Sequence, residues 1–174
     1  MKTHRDRDRT VAPSIGVDIG RVIINGDGPD TQFFGHSERE AMRTPAVPGA
    51  FAAVAELVRQ FDGRVHLVSK CGPRIQARSL AWLDHHDFWA ATGVDRAKVR
   101  FCRERRDKAV HAVRLGLTHF VDDRFDVLTH LVGLVERMYL FGPQRKRSTQ
   151  LHGMLATPRW ADVLADLAHG GLST

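Results

Sequence analysis

Ile15-Gly16-Val17-Asp18-Ile19-Gly20-Arg21-Val22-Ile23-Ile24 sets a carboxylate, two glycines and an arginine inside an otherwise apolar, β-branched run. A short run of this kind, bounded by turn signals, reads as a buried parallel strand, here over Ile15–Ile19. Asp18 then stands at the carboxyl end of the strand, where open α/β sheets bind ligands. One such carboxylate can be a loop cap or half of an ion pair, so its meaning depends on what the rest of the chain brings to it.

Two further stretches repeat the pattern. Val65-His66-Leu67-Val68-Ser69-Lys70-Cys71-Gly72-Pro73 is a strand running into a small polar residue, with Pro73 suited to the first turn of a helix. Thr118-His119-Phe120-Val121-Asp122-Asp123-Arg124-Phe125-Asp126 is a strand ending in paired acids, with a third acid close behind. Between them, Lys108 opens a helical pattern that Gly116 ends.

Working outward, Phe51, Val54, Ala55, Val58 and Phe61 fall at helical spacing, as do Ile75, Ser79, Trp82, Leu83 and His86. Val99–Cys102, His119–Val121 and Met138–Phe141 read as strands, and Trp160, Val163, Leu164 and Leu167 as a last amphipathic helix. Strands separated by helices imply an α/β fold: a three-layer, doubly wound, Rossmann-like parallel sheet with helices on both faces. The chain of 174 residues fits a single domain over 13–174, preceded by a charged, disordered tail over 1–12.

The order Asp18, Ser69, Lys108, Asp122-Asp123, each at a strand end or helix start, resembles the haloacid dehalogenase superfamily, most of whose members are phosphohydrolases. The resemblance spans residues 15 to 140, and four ordered motifs carry more weight than any one of them. It implies a phosphatase in which Asp18 is the nucleophile that forms an aspartyl-phosphate. Ser69 would hydrogen-bond a phosphate oxygen, helped by nearby backbone N–H groups, and Lys108 would hold the nucleophile and neutralise phosphate charge. Mg²⁺ takes oxygen ligands, and Asp18, Asp122, Asp123 and the backbone carbonyl of Gly20 would supply them. Asp126 competes with Asp123 for that role, and its other reading is a helix N-cap. Lys70 is either a second phosphate-binding cation or a surface lysine. The family's phosphatases usually carry a second aspartate, a general acid and base, where this chain has Gly20. Asp18-Ile19-Gly20-Arg21-Val22 matches the Asp-x-Gly-x-Val subset instead. That leaves a second reading, a catalytically weakened regulatory or binding protein, beside a nucleic-acid end phosphatase or phosphotransferase.

The net charge of +6 reads first as a solvated, arginine-rich surface and otherwise as a match for nucleic acid or an anionic substrate; the resemblance implies a phosphorylated small molecule before nucleic acid. The basic clusters at Arg103, Arg105 and Arg106 and at Arg145-Lys146-Arg147 read as solvated surface, and no aromatic pattern for stacking bases accompanies them. His85-His86-Asp87 lacks the further ligands that zinc needs, and Trp82, Phe88 and Trp89 read as core. Cys71 and Cys102 have no metal-type spacing, which fits a reduced cytoplasmic setting. No run approaches the roughly 18 apolar residues of a membrane helix, and the charged N-terminus does not read as a secretory signal. The gaps between the motifs hold no room for a separate cap domain, so the chain reads as nearly capless. The Asn25–Pro48 stretch, mostly loop, is expected to form a short lid through its apolar Phe33-Phe34 pair, or to cover that pair in a homodimer.

Overall fold

The computed structural model describes residues 12–26, 37–144 and 150–170. Residues 1–11 of the tail expected over 1–12, the Phe33-Phe34 pair and the Arg145–Arg147 cluster lie outside these described residues.

Six parallel strands form one sheet: β1 (Ile15–Val17), β2 (Val65–Lys70), β3 (Val99–Cys102), β4 (His119–Asp122), β5 (Arg137–Phe141) and β6 (Met154–Thr157). Their order is β3-β2-β1-β4-β5-β6. The chain winds from β1 outward to β3, then crosses back to lay β4 on the other side of β1. Ile15 is therefore in register with both Val65 and His119. The β1/β4 boundary is where the winding reverses, and an open parallel sheet has its ligand crevice at the carboxyl ends of such a pair.

Alternation along the strands feeds two cores. Val17, Leu67, Val121, Tyr139 and Phe141 face one side. There they meet α2 (Ala50–Gln60), α3 (Pro73–His85), α4 (Phe88–Thr92) and α7 (Trp160–Gly170). Val68, Phe120, Met138, Leu140 and Met154 face the other side, against α5 (Asp107–Leu115) and α6 (Phe125–Thr129). This is the expected three-layer arrangement. The buried face of α2 is Ala50, Ala53, Val54 and Leu57, with Phe51 and Val58 at its margin, a slight rotation from the stripe expected. Pro73 occupies the first turn of α3, and Gly116 closes α5 in the left-handed conformation.

β6 has no counterpart among the strands read from the sequence. Its four residues alternate only weakly, with two of them buried, and its position is fixed by pairing with β5 rather than by its own pattern. Gly153 makes the approach possible: it adopts φ +76°, and a Cβ there would lie 2.4 Å from the carbonyl oxygen of Glu136.

The apolar run after Asp18 does not extend the strand. Ile23 and Ile24 both donate backbone hydrogen bonds to the Ile19 carbonyl, and Arg21 donates to Ile24, closing a tight coil. Arg21 sits at φ 60°, a conformation that costs a non-glycine residue about 1–3 kcal/mol. Burial of Ile19, Val22, Ile23 and Ile24 offsets that cost, and Trp160 donates a 2.8 Å hydrogen bond to the Val22 carbonyl. The coil turns Gly20 and Arg21 toward the sheet's carboxyl edge.

Part of the 25–48 stretch is more ordered than the expected loop. Ser37–Pro48 contains α1 (Glu38–Arg43), with a reciprocal capping box between Ser37 and Glu40. Trp82 donates to the Thr44 carbonyl, and Val47 to the Ile23 carbonyl. This half is stitched to α3 and to the coil after β1. Between β2 and β3 the chain forms two helices, α3 and α4, where one was expected, and both pack into the main helical layer.

The glycine inside β1 reflects close packing. A Cβ on Gly16 would lie 2.6 Å from the Phe120 ring and 2.8 Å from Leu117 Cδ1. Gly16→Ala is therefore expected to destabilise the fold by about 1–3 kcal/mol. Each kcal/mol corresponds to about 2–4 °C in a thermal melt of a domain this size. An unchanged melting temperature would mean that Phe120 and Leu117 yield without cost.

Candidate active site

The carboxyl ends of β1, β2 and β4 converge on one cavity with the first turn of α5. Asp18 follows β1 directly, and its backbone N–H donates to the Val121 carbonyl at 3.0 Å, which seats it against β4. Asp122 ends β4 and is fully buried. Its Oδ1 accepts from the Arg124 backbone N–H at 2.9 Å, so the carboxylate also shapes the turn that follows.

Lys108 joins the two acids. It stands in the first turn of α5, 2% exposed, with Nζ 2.7 Å from Asp122 Oδ2 and 2.9 Å from Asp18 Oδ1. The Asp122 contact is a hydrogen bond. The Asp18 contact is a close charge pair with poor direction, so Asp18 Oδ1 is buried without a hydrogen-bond donor among the described residues. Burial opposes charge on Lys108, but Asp122 and Asp18 outweigh it and hold its proton more tightly than usual.

Asp123 completes an acidic cluster. One carboxylate oxygen from each of Asp18, Asp122 and Asp123 lies within 4.8 Å of the others. Burial first, then Asp18, pushes the Asp123 carboxyl up to about 6, with Arg21 pulling back from 3.6 Å. Burial pushes Asp122 up to about 7 against the pull of Lys108, and Asp18 adds to the rise. Three hard oxygen donors, one of them lacking a hydrogen-bond donor, suit Mg²⁺ better than a soft metal. The residues present fit such an ion.

Asp126 stands apart. It accepts from Arg105 at 3.0 Å and from Arg124 at 3.4 Å, and its side chain is half exposed. Partial burial would raise its carboxyl, but Arg105 and Arg124 outweigh that and hold it below the usual range. It is also not the expected N-cap: Arg124 is the capping residue of α6, and Asp126 lies within the first turn.

Ser69 is buried at the end of β2 and lines the cavity, and its hydroxyl makes no hydrogen bond to another described residue. Gly72 beside it opens α3, so the helix's first N–H groups lie at the cavity wall. Gly20 and the exposed Lys70 also line the cavity. All the motif residues are therefore brought to one place.

Arg21, Arg105 and Arg124 line the cavity as well, although none of them carries a site role in the sequence motifs. Arg105 belongs to the cluster read as solvated surface. Its position just after β3, three residues before Lys108, was the available signal. Trp82 and Phe88 are core, Trp89 is half-buried and donates to Asp84 at 2.7 Å, and the His86 ring packs at a tilt against Trp82 with ring centroids 4.1 Å apart.

Neither a protein-family model nor a curated protein matches this chain. Among solved structures, a haloacid dehalogenase-like family hydrolase from Xanthomonas campestris is similar, with a TM-score of 0.60 and 10% identity. The match covers 90% of this chain and 94% of that one. The two chains thus share a fold. No helix among the described residues is long and apolar enough to cross a membrane.

The raised carboxyls have a consequence for stability. An unfolded carboxyl titrates near 4, whereas Asp123 and Asp122 titrate near 6 and 7 when folded. The folded chain binds more protons in that window, so these groups lower stability as pH rises through it. Burial holds His66 below its ordinary value, which works in the opposite sense on acidification. In chelator, the melting temperature is expected to rise as pH falls from about 8 to about 7, above the range where His66 dominates. With excess Mg²⁺ the trend should flatten or reverse, because a cation needs the carboxylates ionised. Identical pH slopes with and without Mg²⁺ would remove the cation from this cluster.

Proposed function

We propose that this chain is a Mg²⁺-dependent phosphomonoester hydrolase acting through an aspartyl-phosphate on Asp18. The supporting observation is the buried Asp18–Lys108–Asp122 contact, which sets a carboxylate against a fixed cation at the sheet's switch point.

In the first step an Asp18 carboxylate oxygen attacks phosphorus in line, and the bond from phosphorus to the leaving oxygen breaks. Lys108 holds Asp18 in place, and its positive charge offsets the phosphoryl oxygens. Ser69 donates its hydroxyl hydrogen to one of those oxygens, and the N–H groups at the start of α3 face another. In the second step water attacks phosphorus and frees the Asp18 carboxylate with release of inorganic phosphate. When bound by Asp18, Asp122, Asp123 and the Gly20 carbonyl, Mg²⁺ would supply charge neutralisation at the phosphoryl group. Lys70, at the cavity's exposed side, adds positive potential for an anionic substrate.

Gly20 puts no carboxylate where a leaving group would be protonated. General acid–base help of that kind is worth about 10²–10⁴-fold. Turnover is therefore modest and favours esters whose leaving group needs no proton. The same observation supports the second reading, a binding protein of weakened activity.

Phosphate release with Mg²⁺ is the test. Asp18→Asn, nearly isosteric, is expected to abolish it while leaving the circular dichroism spectrum unchanged. Asp122→Ala should raise the Mg²⁺ requirement or abolish activity, with Asp123→Ala milder. Substantial turnover by Asp18→Asn, or full activity in chelator, would end the proposed mechanism. No turnover by the wild type on any phosphomonoester would favour the binding protein.

The missing acid gives a separate expectation. Wild type should cleave aryl phosphates faster than alkyl phosphates, and Gly20→Asp should narrow the gap by raising the alkyl rate. Equal wild-type rates on both ester classes would mean that another group protonates the leaving oxygen.

A further inference from the structure

Cations outnumber carboxylates on the described lining of the cavity, with Arg21, Lys70, Arg105, Lys108 and Arg124 against Asp18 and Asp123. Apart from Lys70, which is exposed, they divide into an inner and an outer set. Lys108 is buried on Asp18 and Asp122, and Arg21 lies against Asp123, both at the acidic cluster. Arg105 and Arg124 come from the segments that follow β3 and β4, with β2 and β1 between those strands in the sheet. Asp126, which does not line the cavity, accepts from both guanidinium groups. One carboxylate outside the cavity thus fixes two guanidinium groups side by side on its wall, each side chain 31% exposed.

Guanidinium is the cation suited to planar, multidentate recognition of carboxylate and phosphate. Orienting two of them beforehand removes part of the side-chain ordering cost of binding. Phosphoryl chemistry at Asp18 uses the inner set and leaves this outer pair without a role. We infer that Arg105 and Arg124 form a second anion subsite, so that the preferred substrate is a phosphomonoester carrying another anionic group, a carboxylate or a second phosphate, beyond the scissile ester. This inference rests on the phosphoryl-binding reading of Asp18, Ser69 and Lys108. It assigns the anion-reading role to the cavity wall, with no cap needed to supply it.

The test uses two non-hydrolysable probes that share the phosphoryl end, methylphosphonate and phosphonoacetate, titrated calorimetrically into the whole protein with Mg²⁺. Wild type is expected to bind phosphonoacetate at least roughly tenfold more tightly, as one extra charge-assisted contact would give. Arg105→Gln and Arg124→Gln should each shrink that ratio to about threefold or less, with Arg105→Lys and Arg124→Lys between, since lysine keeps the charge but loses the fork. Thermal melts check that each variant folds. A wild-type ratio below about threefold overturns the subsite whatever the variants do. A ratio that survives both glutamine variants also overturns it, because other cations would then be reading the second anion. Failure of wild type to bind either phosphonate is the separate result that sinks the phosphoryl-binding reading. Selective binding without turnover would instead keep the subsite and remove the hydrolase.

Discussion

The ammonium of Lys108 between the carboxylates of Asp18 and Asp122 is the contact on which the rest of the cavity depends. Both lysine and Asp122 are out of water, and breaking one partner out of a buried pair typically costs about 3–5 kcal/mol because the other charge is stranded. Three separate chain segments must be in register for the contact to form: the end of β1, the end of β4 and the first turn of α5. The parallel pairing of β1 with β4 sets two of them side by side. The crossover helix α5, returning from β3, delivers the third. A fold that misplaced α5 by a turn would leave two buried carboxylates facing each other.

This arrangement also explains the electrostatic character of the site. Acids gathered at a sheet edge repel one another and resist ionisation when buried, and Asp122 and Asp123 are pushed upward accordingly. One ammonium does not relieve three carboxylates, and Asp18 Oδ1 still lacks a directional donor among the described residues. The cluster is therefore poised to take a further positive charge. Around it, Arg21, Arg105 and Arg124 surround the acids with guanidinium groups, each held in place by an aspartate. A negative centre inside a positive rim is suited to a cation and an anion held together.

The coil from Ile19 to Ile24 shows how strain and burial are traded near the site. Arg21 occupies a left-handed conformation that glycine would adopt at less cost. The buried isoleucines and Val22 hold it there, and Trp160 pins the coil from α7. The arginine gained at that position sits on the cavity wall beside Asp123. Ser37–Pro48 closes against the same coil and α3 through the Val47–Ile23 and Trp82–Thr44 hydrogen bonds.

Much of the fold was legible locally because strand and helix periodicities differ and because Gly116 and Pro73 mark helix ends by backbone conformation alone. The positions of Asp18, Ser69, Lys108 and Asp122-Asp123 could be read as one set because each sits at a strand end or helix start, and in a parallel sheet all strand ends lie on one edge. β6 was not legible: four residues carry too little periodicity, and pairing with β5 decides their conformation. Which of Asp123 and Asp126 joins the acidic cluster was undecidable from spacing, since both follow Asp122 closely. The turn geometry after β4 decides it by seating Asp123 on the cluster and Asp126 between two arginines. Arg105 looked like one more surface charge, and only the crossover from β3 through α5 to β4 brings it to the cavity. Local sequence determined which elements form and where their polar ends fall, because those depend on neighbours along the chain. Tertiary structure alone decided which charges meet, because charge pairing depends on distances between segments that the sequence does not record.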